Sequence, residues 1–290
     1  MAVPRLPSRG GLIEHLGEWM AVNQEERAYR AWKVLTAVAA KKDGLITYGE
    51  LGEAINVHHR ALRYVLGVIQ AYCLDQKLPP LTILVVNAQD RTPSYGFIAW
   101  DATDLPEGLR KVRNHPWNES ENPFLYASKG ETEEELAAEL DADPGKAEDI
   151  YAQVKVRGTA QSIFRKALLL AYQGRCAICG LTFEDALQAS HLIEWNDCSP
   201  AQRMATCNGL LLCATHHRLF DWGYITIAPD HTVFYIDPKG RDGKYSNADT
   251  QVSTALHGKK AFMPKDRRHW PSAECLGWHY KAHEWKFEGR

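Results

Sequence analysis

Along the first third of the chain, apolar residues recur every three or four positions in stretches separated by polar turns. This spacing predicts an amphipathic helix over residues 24–41 and another over residues 59–75. Between them, Thr47 and Glu50 have the spacing of a capping box, which marks the start of a helix. The pattern therefore predicts three helices in succession.

Two continuous apolar runs follow, LTILVV at residues 81–86 and SYGFIAW at residues 94–100, with the polar turn NAQDRTP between them. Apolar runs on either side of a polar turn predict a pair of strands. Three helices and a hairpin form the outline of a winged helix, and a small α+β domain without a role in nucleic-acid binding fits the same outline. We assign residues 1–130 to this N-terminal domain, which could recognise a target.

The next segment is strongly acidic. Residues 131–150 contain nine Asp and Glu residues and one lysine, with a Pro-Gly turn signal near the end. We therefore interpret residues 131–156 as a solvated acidic helix and linker. Beyond it, residues 151–290 carry 18 Lys and Arg against 13 Asp and Glu, a mildly basic balance that is compatible with a polyanionic ligand.

Helical spacing returns in VRGTAQSIFRKALLLAYQG, where Gly174 supplies the stop. The runs ALQASHLI and GLLLC are compatible with strands, THHRLFDW has the length of a short helix, and YITIA and TVFYI predict a further strand pair. Helices mixed with short neighbouring strands in this way predict an α+β fold.

The most informative feature of the composition is the cysteine content. Of the 290 residues, 45% are hydrophobic and 24% charged, as in a globular protein with real cores. No apolar stretch is long enough to span a bilayer and no signal-peptide pattern opens the chain, so we expect a cytoplasmic protein without a membrane partner. The seven cysteines, an odd count, argue against a disulfide framework. Five of them lie between residues 176 and 213, which indicates a local metal site.

Two pairs of metal-binding side chains bracket this cysteine cluster. Cys176 and Cys179 form one pair with two residues between them, and Cys213 and His216 form a second pair with the same spacing. Zn²⁺ takes four nitrogen or sulfur ligands in a tetrahedron, and four protein ligands leave no open position for water. We therefore predict a closed structural zinc site at these four residues, although the cysteine at position 198 or 207 could replace one ligand.

His191 and Asn208 lie between the two pairs, and His217 follows the second pair directly. They occur in the motifs Ser-His-Leu-Ile-x-Trp, Asn-Gly-Leu-Leu-Leu-Cys and His-Arg-Leu-Phe-Asp-x-Gly. These motifs resemble those of HNH endonucleases, in the branch found in bacterial restriction endonucleases, and the likeness extends over residues 157–290. The resemblance implies a ββα-metal module, in which two strands, a loop and a helix enclose one catalytic ion. We accordingly assign residues 157–290 to a nuclease domain with a C-terminal extension.

The resemblance also implies a role for each of these residues. His191 would be the general base that takes a proton from water, and Asn208 would orient the site. His217 would bind Mg²⁺ or another divalent cation, with Asp221 as a second ligand or as the partner that orients it. Many HNH nucleases have Asp or His immediately before the general base as a metal ligand, whereas this chain has Ser190, a weaker ligand.

The function implied by the resemblance is metal-dependent hydrolysis of DNA phosphodiester bonds, in a restriction or phage-defence enzyme. Arg175 and Arg218 are candidates for contact with DNA phosphates. A homodimer would suit double-strand cutting. Two alternatives stay open: a nuclease toxin or effector, and a non-catalytic zinc-ribbon module that binds DNA.

Overall fold

The structure, a computed structural model, describes residues 22–118 and 121–286. Residues 1–21 and 119–120 of the predicted N-terminal domain, and the last four residues of the predicted nuclease domain, lie outside the described residues. The described chain consists of helices and small two-stranded sheets, so the fold is α+β as the sequence predicts. Within these two ranges, no helix has both the length and the apolar character needed to cross a bilayer.

Buried apolar side chains form two clusters, one in each half of the described chain. The first draws on residues from Ala28 to Phe124, and the second on residues from Tyr126 to Leu276. We call them the N-terminal core and the C-terminal core. The domain bounds given above stay a prediction.

The N-terminal core contains the three helices that the apolar spacing predicts. At the second of them the capping box is formed, because Thr47 Oγ1 accepts from the Glu50 N–H at 3.2 Å and Glu50 Oε2 accepts from the Thr47 N–H at 2.7 Å. A fourth helix lies against the same core. The elements are α1 (Gln24–Ala39), β1 (Ile46–Thr47), α2 (Tyr48–Ala54), α3 (Leu62–Asp75), β2 (Val85–Val86) and α4 (Leu105–Asn114).

The predicted hairpin is wrong, and a winged helix is not shown. β2 pairs in parallel with β1, and residues 94–100 contain no strand. The Gln70 side chain holds this segment instead, by accepting from the Ile98 N–H at 3.0 Å. Every residue of the run 81–86 is buried, so its apolar residues carry no alternation from which a strand could be recognised.

The acidic segment interpreted as a solvated linker contains helix α5 (Glu133–Ala142), and one face of this helix is buried. The helix packs against α7 (Arg157–Ala171), and its buried face includes Leu140 of the C-terminal core. Lys166 of α7 lies 2.7 Å from the Glu133 carboxylate. The acidic helix is therefore part of the C-terminal core.

The C-terminal core is completed by two antiparallel strand pairs. β3 (Leu187–His191) pairs with β4 (Gly209–Cys213), and β5 (Ile225–Ile227) pairs with β6 (Val233–Tyr235). Helix α9 (Ala214–Asp221) follows β4 directly, which gives the predicted order of strand, loop, strand and helix. The other helices of this part are α6 (Ala147–Val154), α8 (Pro200–Met204), α10 (Asn247–Val252) and α11 (Ala273–Ala282).

We expect Leu140→Ala to lower the free energy of unfolding by about 2–5 kcal/mol, the usual cost of truncating a fully buried leucine. Urea unfolding followed by circular dichroism measures the change. Ala138→Ser, on the exposed face of the same helix, is the matched control and should cost less than about 0.5 kcal/mol. If Leu140→Ala lowered the free energy of unfolding as little as the control does, α5 would be a loose linker.

Candidate active site and metal centre

The β3–β4 pair connects the two groups of candidate residues. At one end Leu187 faces Cys213, and at the other end His191 faces Gly209. Four residues of strand separate these ends, which is about 13 Å at about 3.3 Å per residue. The pairing therefore sets the distance between the candidate zinc ligands and the candidate general base.

The four predicted zinc ligands lie in one cluster. The ligand atoms of Cys176, Cys179, Cys213 and His216 all lie within 4.8 Å of one another. Cys179 Sγ is 3.9 Å from Cys213 Sγ, and Cys176 Sγ is 3.8 Å from His216 Nδ1. With zinc–sulfur bonds of about 2.3 Å, two sulfurs on one tetrahedral ion lie about 3.8 Å apart. The geometry of the cluster therefore fits Zn²⁺.

Neither of the alternative cysteines belongs to this cluster. Cys198 donates from Sγ to the Ile193 carbonyl at 3.3 Å, deep in the loop between β3 and β4. Cys207 lies beside the start of α11, where its carbonyl accepts from the Ser272 N–H at 3.0 Å. The fourth position of the cluster is therefore occupied by His216.

The first pair of cysteines lies in a tight turn that the C-terminal extension covers. The Gly180 N–H donates to the Cys176 carbonyl at 3.0 Å, and Gly180 has a φ of 77°, which favours glycine. A Cβ atom at Gly180 would lie 2.9 Å from the Phe262 ring. The Phe262 N–H in turn donates to the Ala177 carbonyl at 2.7 Å, which fixes the extension against the turn.

Hydrogen bonds prepare this cluster for a metal. His216 donates from Nε2 to the Val252 carbonyl at 3.1 Å, so its Nδ1 keeps a lone pair for the ion. Hydrogen bonds among the cysteine thiols lower the pKa of Cys176 and raise that of Cys179, so Cys176 is the thiolate of this pair before a metal binds. A thiolate is the form of cysteine that binds zinc.

One hydrogen bond and one ring contact orient His191. Its Nε2 lies 3.0 Å from the Arg203 carbonyl oxygen. Because a carbonyl only accepts, Nε2 carries the proton and Nδ1 keeps its lone pair. The Phe164 ring stacks on the imidazole with 4.2 Å between ring centroids, and burial lowers the pKa of His191 below 6.5. His191 is therefore neutral near pH 7, in a single tautomer that can accept a proton at Nδ1.

Gly209, which faces His191 across the strand pair, makes room for this stacking. A Cβ atom at Gly209 would lie 2.4 Å from the tip of the Phe164 ring and 2.8 Å from a Leu168 methyl group. A side chain there would therefore displace the ring that supports the imidazole. Steric contact with Phe164 and Leu168 therefore explains why the Asn-Gly pair of the sequence motif has glycine at its second position.

The residue whose carbonyl orients His191 is itself fixed through its side chain. Arg203 donates from Nη1 to the Tyr151 hydroxyl at 2.6 Å, and its guanidinium lies 5.3 Å from the centre of the Trp195 ring. The sequence reasoning missed this residue. A backbone carbonyl has no residue-type signal, so only the fold could reveal the contact with His191.

Asn208 is fully buried and closes the loop between β3 and β4. Its Oδ1 accepts from the Ile193 N–H at 2.9 Å, and its Nδ2 donates to the Gln202 carbonyl at 3.0 Å. Gln202 is the neighbour of Arg203, whose carbonyl orients His191. Asn208 thus acts on the site through the loop backbone, and its buried side chain is a positioning group.

His217 lies on α9 with Asp221 one turn later. Asp221 Oδ2 is 3.3 Å from His217 Nδ1, and the His217 side chain is 26% exposed. A carboxylate at Nδ1 favours the tautomer with the proton on that nitrogen, which leaves the Nε2 lone pair for a cation. Asp221 is therefore suited to orient His217, and the donor set fits one histidine ligand backed by a carboxylate.

His191 and His217 line one open cleft of about 560 Å³ between the two cores, which we call the catalytic cleft. The N-terminal core contributes Asp75 and Gln76 to its wall. Arg165 lies at the same cleft and donates from Nε to the Leu187 carbonyl at 2.9 Å. The structure therefore brings the general-base candidate and the cation-ligand candidate to one shared space.

Ser190 does not reach this cleft. Its side chain is 1% exposed, and Oγ has no hydrogen-bond partner among the described residues. Ser190 is absent from the residues that line the cleft, whereas its neighbour His191 lines it. The position at which many HNH nucleases have an acidic or histidine ligand thus offers no ligand to a cation in the cleft.

Arg175 and Arg218, the predicted phosphate contacts, do not line the catalytic cleft. The Arg175 guanidinium lies 5.2 Å from the centre of the Phe262 ring, and that of Arg218 lies 4.0 Å from the centre of the Trp222 ring. Both guanidinium groups lie against aromatic rings at the surface, and their contact with DNA stays a prediction.

Part of this chain is similar to a known protein family. Residues 176–228 match the family model of an HNH endonuclease. We call residues 176–228 the HNH segment because of this likeness. No curated protein matches the chain. Among solved structures, a modification-dependent TagI restriction endonuclease matches 40% of this chain and 36% of its own length, at 18% identity and a TM-score of 0.26.

The HNH segment contains the zinc cluster, the loop and both cleft histidines, but several of their supports lie outside it. Phe164 and Tyr151 precede the segment, and they support the His191 ring and Arg203. Val252 follows the segment and orients His216. The site is therefore assembled by a larger part of the C-terminal core than the family match covers.

We expect the purified protein to contain one zinc ion per chain and Cys176→Ser to lose most of it, because a hydroxyl is a much poorer zinc ligand than a thiolate. Elemental analysis measures the zinc content, and thermal unfolding should show a lower melting temperature. Cys207→Ser is the matched control, since this cysteine lies outside the cluster. Full zinc content in Cys176→Ser would contradict the assignment.

Proposed function

We propose that the chain is a DNA endonuclease that hydrolyses phosphodiester bonds with His191 as general base and a divalent cation held at His217. The observation that carries the proposal is the fixed tautomer of His191, whose Nε2 donates to the Arg203 carbonyl at 3.0 Å in the cleft shared with His217. An imidazole in this state can take a proton only at Nδ1.

In the proposed reaction, a water molecule gives a proton to His191 Nδ1 and the resulting hydroxide attacks phosphorus. The bond from phosphorus to the 3′-oxygen breaks, and that oxygen leaves with a proton from solvent. The Phe164 ring and the Arg203 carbonyl prevent the imidazole from turning away from its water. Asn208 maintains this arrangement because it holds the loop that carries Arg203.

The cation would be held by His217, with Asp221 as the group that orients its ring. When bound, a divalent cation such as Mg²⁺ supplies positive charge that stabilises the phosphate as negative charge develops on it. Ser190 supplies no ligand, so one imidazole and solvent would complete the coordination. We infer a more weakly held ion than in HNH sites that have a carboxylate at this position.

We further infer that this activity serves the restriction of foreign DNA, on the resemblance of the HNH motifs to bacterial restriction endonucleases. Digestion of panels of modified and unmodified DNA by the wild-type protein tests this role. The N-terminal core would then modulate target choice. The homodimer suggested by double-strand cutting stays a prediction.

We expect His191→Ala to reduce plasmid cleavage in Mg²⁺ or Mn²⁺ by at least about 100-fold, because a general base contributes about 100- to 10,000-fold. Agarose gel analysis of supercoiled plasmid over time measures the rate. His231→Ala is the matched control, since this histidine lies at the β5–β6 turn and outside the catalytic cleft. Cleavage that persists in His191→Ala would defeat the assignment of the base, and a wild-type protein that binds DNA without cutting it would favour the zinc-ribbon alternative.

We expect kcat/KM for cleavage to fall as the pH drops through the pKa of His191, with a midpoint below pH 6.5. The base works only when it is neutral, and burial, helped by the nearby charge of Arg157, lowers the pKa of His191. Initial rates between pH 5 and 8 measure the profile, with zinc content followed over the same range as a control. A midpoint above pH 7 would contradict the proposed environment of the imidazole.

A further inference from the structure

The catalytic cleft continues into two further grooves that run along the N-terminal core. Gln76 and Gly158 line both the catalytic cleft and a neighbouring groove, which we call the middle groove. Leu78, His115 and Pro116 line both the middle groove and a third one, the outer groove, which lies beside α4. The three spaces are therefore neighbours in this order from α4 to His191, and we call them together the path.

Basic side chains follow this path. Lys77 and Lys111 line the outer groove, Lys155 and Arg157 line the middle groove, and Arg165 lines the catalytic cleft. The first four of these are exposed, and none has a carboxylate within 4.0 Å among the described residues. Lys111 Nζ lies 4.9 Å from the centre of the Trp100 ring, and the Arg157 guanidinium lies 5.2 Å from that of Trp195. An aromatic ring does not neutralise a cation, so all four charges are available to an external anion. Arg110, also on the outer groove, is paired with Glu107.

Acidic side chains are fewer along the path and stand apart from its outer end. Glu121 lines the middle groove, and Asp75 and Asp185 line the catalytic cleft. The outer groove has no carboxylate in its wall among the described residues. Two of the five basic residues, Lys77 and Lys111, lie in the half of the chain that is acidic overall, where residues 1–150 carry 16 Lys and Arg against 23 Asp and Glu. The outer groove is thus basic although the half of the chain that forms it is acidic.

Two of these lysines have an unusual backbone conformation. Lys77 has a φ of 54° beyond the end of α3, and Lys155 has a φ of 59° at the end of α6. Residues with a Cβ atom rarely adopt this left-handed conformation, and glycine would adopt it without cost. At both helix ends the chain has a lysine where glycine would be free of strain. One of these lysines lines the outer groove and the other lines the middle groove.

We propose that the outer and middle grooves bind the phosphate backbone of the DNA substrate and lead it to His191, with Lys77, Lys111 and Lys155 as the main phosphate contacts. The proposal rests on the proposed nuclease function for the identity of the anion. It assigns the N-terminal core part of the substrate surface. It also moves the expected DNA contact from the surface of Arg175 and Arg218 to the groove between the cores.

The test compares two triple variants that remove the same charge. The groove variant is Lys77→Ala, Lys111→Ala and Lys155→Ala in one chain. The control variant is Lys42→Ala, Lys239→Ala and Lys244→Ala, three exposed lysines outside the grooves. Alanine and lysine both have a Cβ atom, so the backbone strain at Lys77 and Lys155 is unchanged, and thermal unfolding checks that both variants fold.

Fluorescence anisotropy of a labelled 30-base-pair duplex, in buffer without added divalent cation, gives the dissociation constant at salt concentrations from 50 to 200 mM. Each lysine that contacts a phosphate contributes about one unit to the slope of log K against log salt. We expect the groove variant to lose about three units of slope and to bind at least about tenfold more weakly at 50 mM salt. The control variant should lose less than one unit of slope.

The outcomes separate this proposal from the nuclease proposal. An unchanged slope in the groove variant, an equal loss in both variants, or a wild-type protein without measurable binding at 50 mM salt would overturn the groove. A wild-type protein that binds through the groove lysines but cuts no DNA would support the groove and defeat the nuclease. Cleavage that depends on His191 but not on the groove lysines would do the reverse.

Discussion

The candidate site depends on the antiparallel pairing of β3 with β4. This register places Cys213 opposite Leu187 and His191 opposite Gly209, so one ladder carries the zinc cluster at one end and the imidazole at the other. Side chains alternate along a strand, and a shift of one residue would turn His191 into the core and bring Ser190 to the cleft. A zinc ion at the Cys213 end would stabilise this pairing, since binding energy counts as folding energy where a short segment has little core of its own.

A second constraint, the hydrogen bonds of Asn208, fixes the loop between β3 and β4. Asn208 occupies the end of that loop, and its buried amide bonds to Ile193 on one side and to Gln202 on the other. A buried amide with both ends satisfied fixes a loop in one conformation, because any other conformation would leave polar atoms without partners. The same loop presents the Arg203 carbonyl to His191. The metal cluster, the β3–β4 pair and the loop thus all contribute to the orientation of the His191 ring.

The sequence predicted the elements that have local sequence signals. Its predictions failed where contacts between distant residues determine the local structure. The capping box at Thr47, the strands around His191 and the two zinc pairs have spacing that reflects their own geometry, and the structure contains them. The hairpin at residues 94–100 failed because a Gln70 side chain holds that segment, a contact without a local sequence signal. The Arg203 carbonyl was missed for a related reason, since every residue has a carbonyl and only the fold selects one.

The candidate site in the HNH segment depends on residues outside that segment. The segment ends at residue 228, yet its candidate zinc ligand His216 bonds to Val252, and the ring beneath His191 belongs to Phe164 on a helix before the segment. The N-terminal core closes the cleft from the other side through Gln76. The supports of the imidazole itself, the Phe164 ring and the Arg203 carbonyl, belong to the C-terminal core, whereas the N-terminal core supplies part of the cleft wall. Under the proposed function, that wall would be part of the surface that meets the substrate.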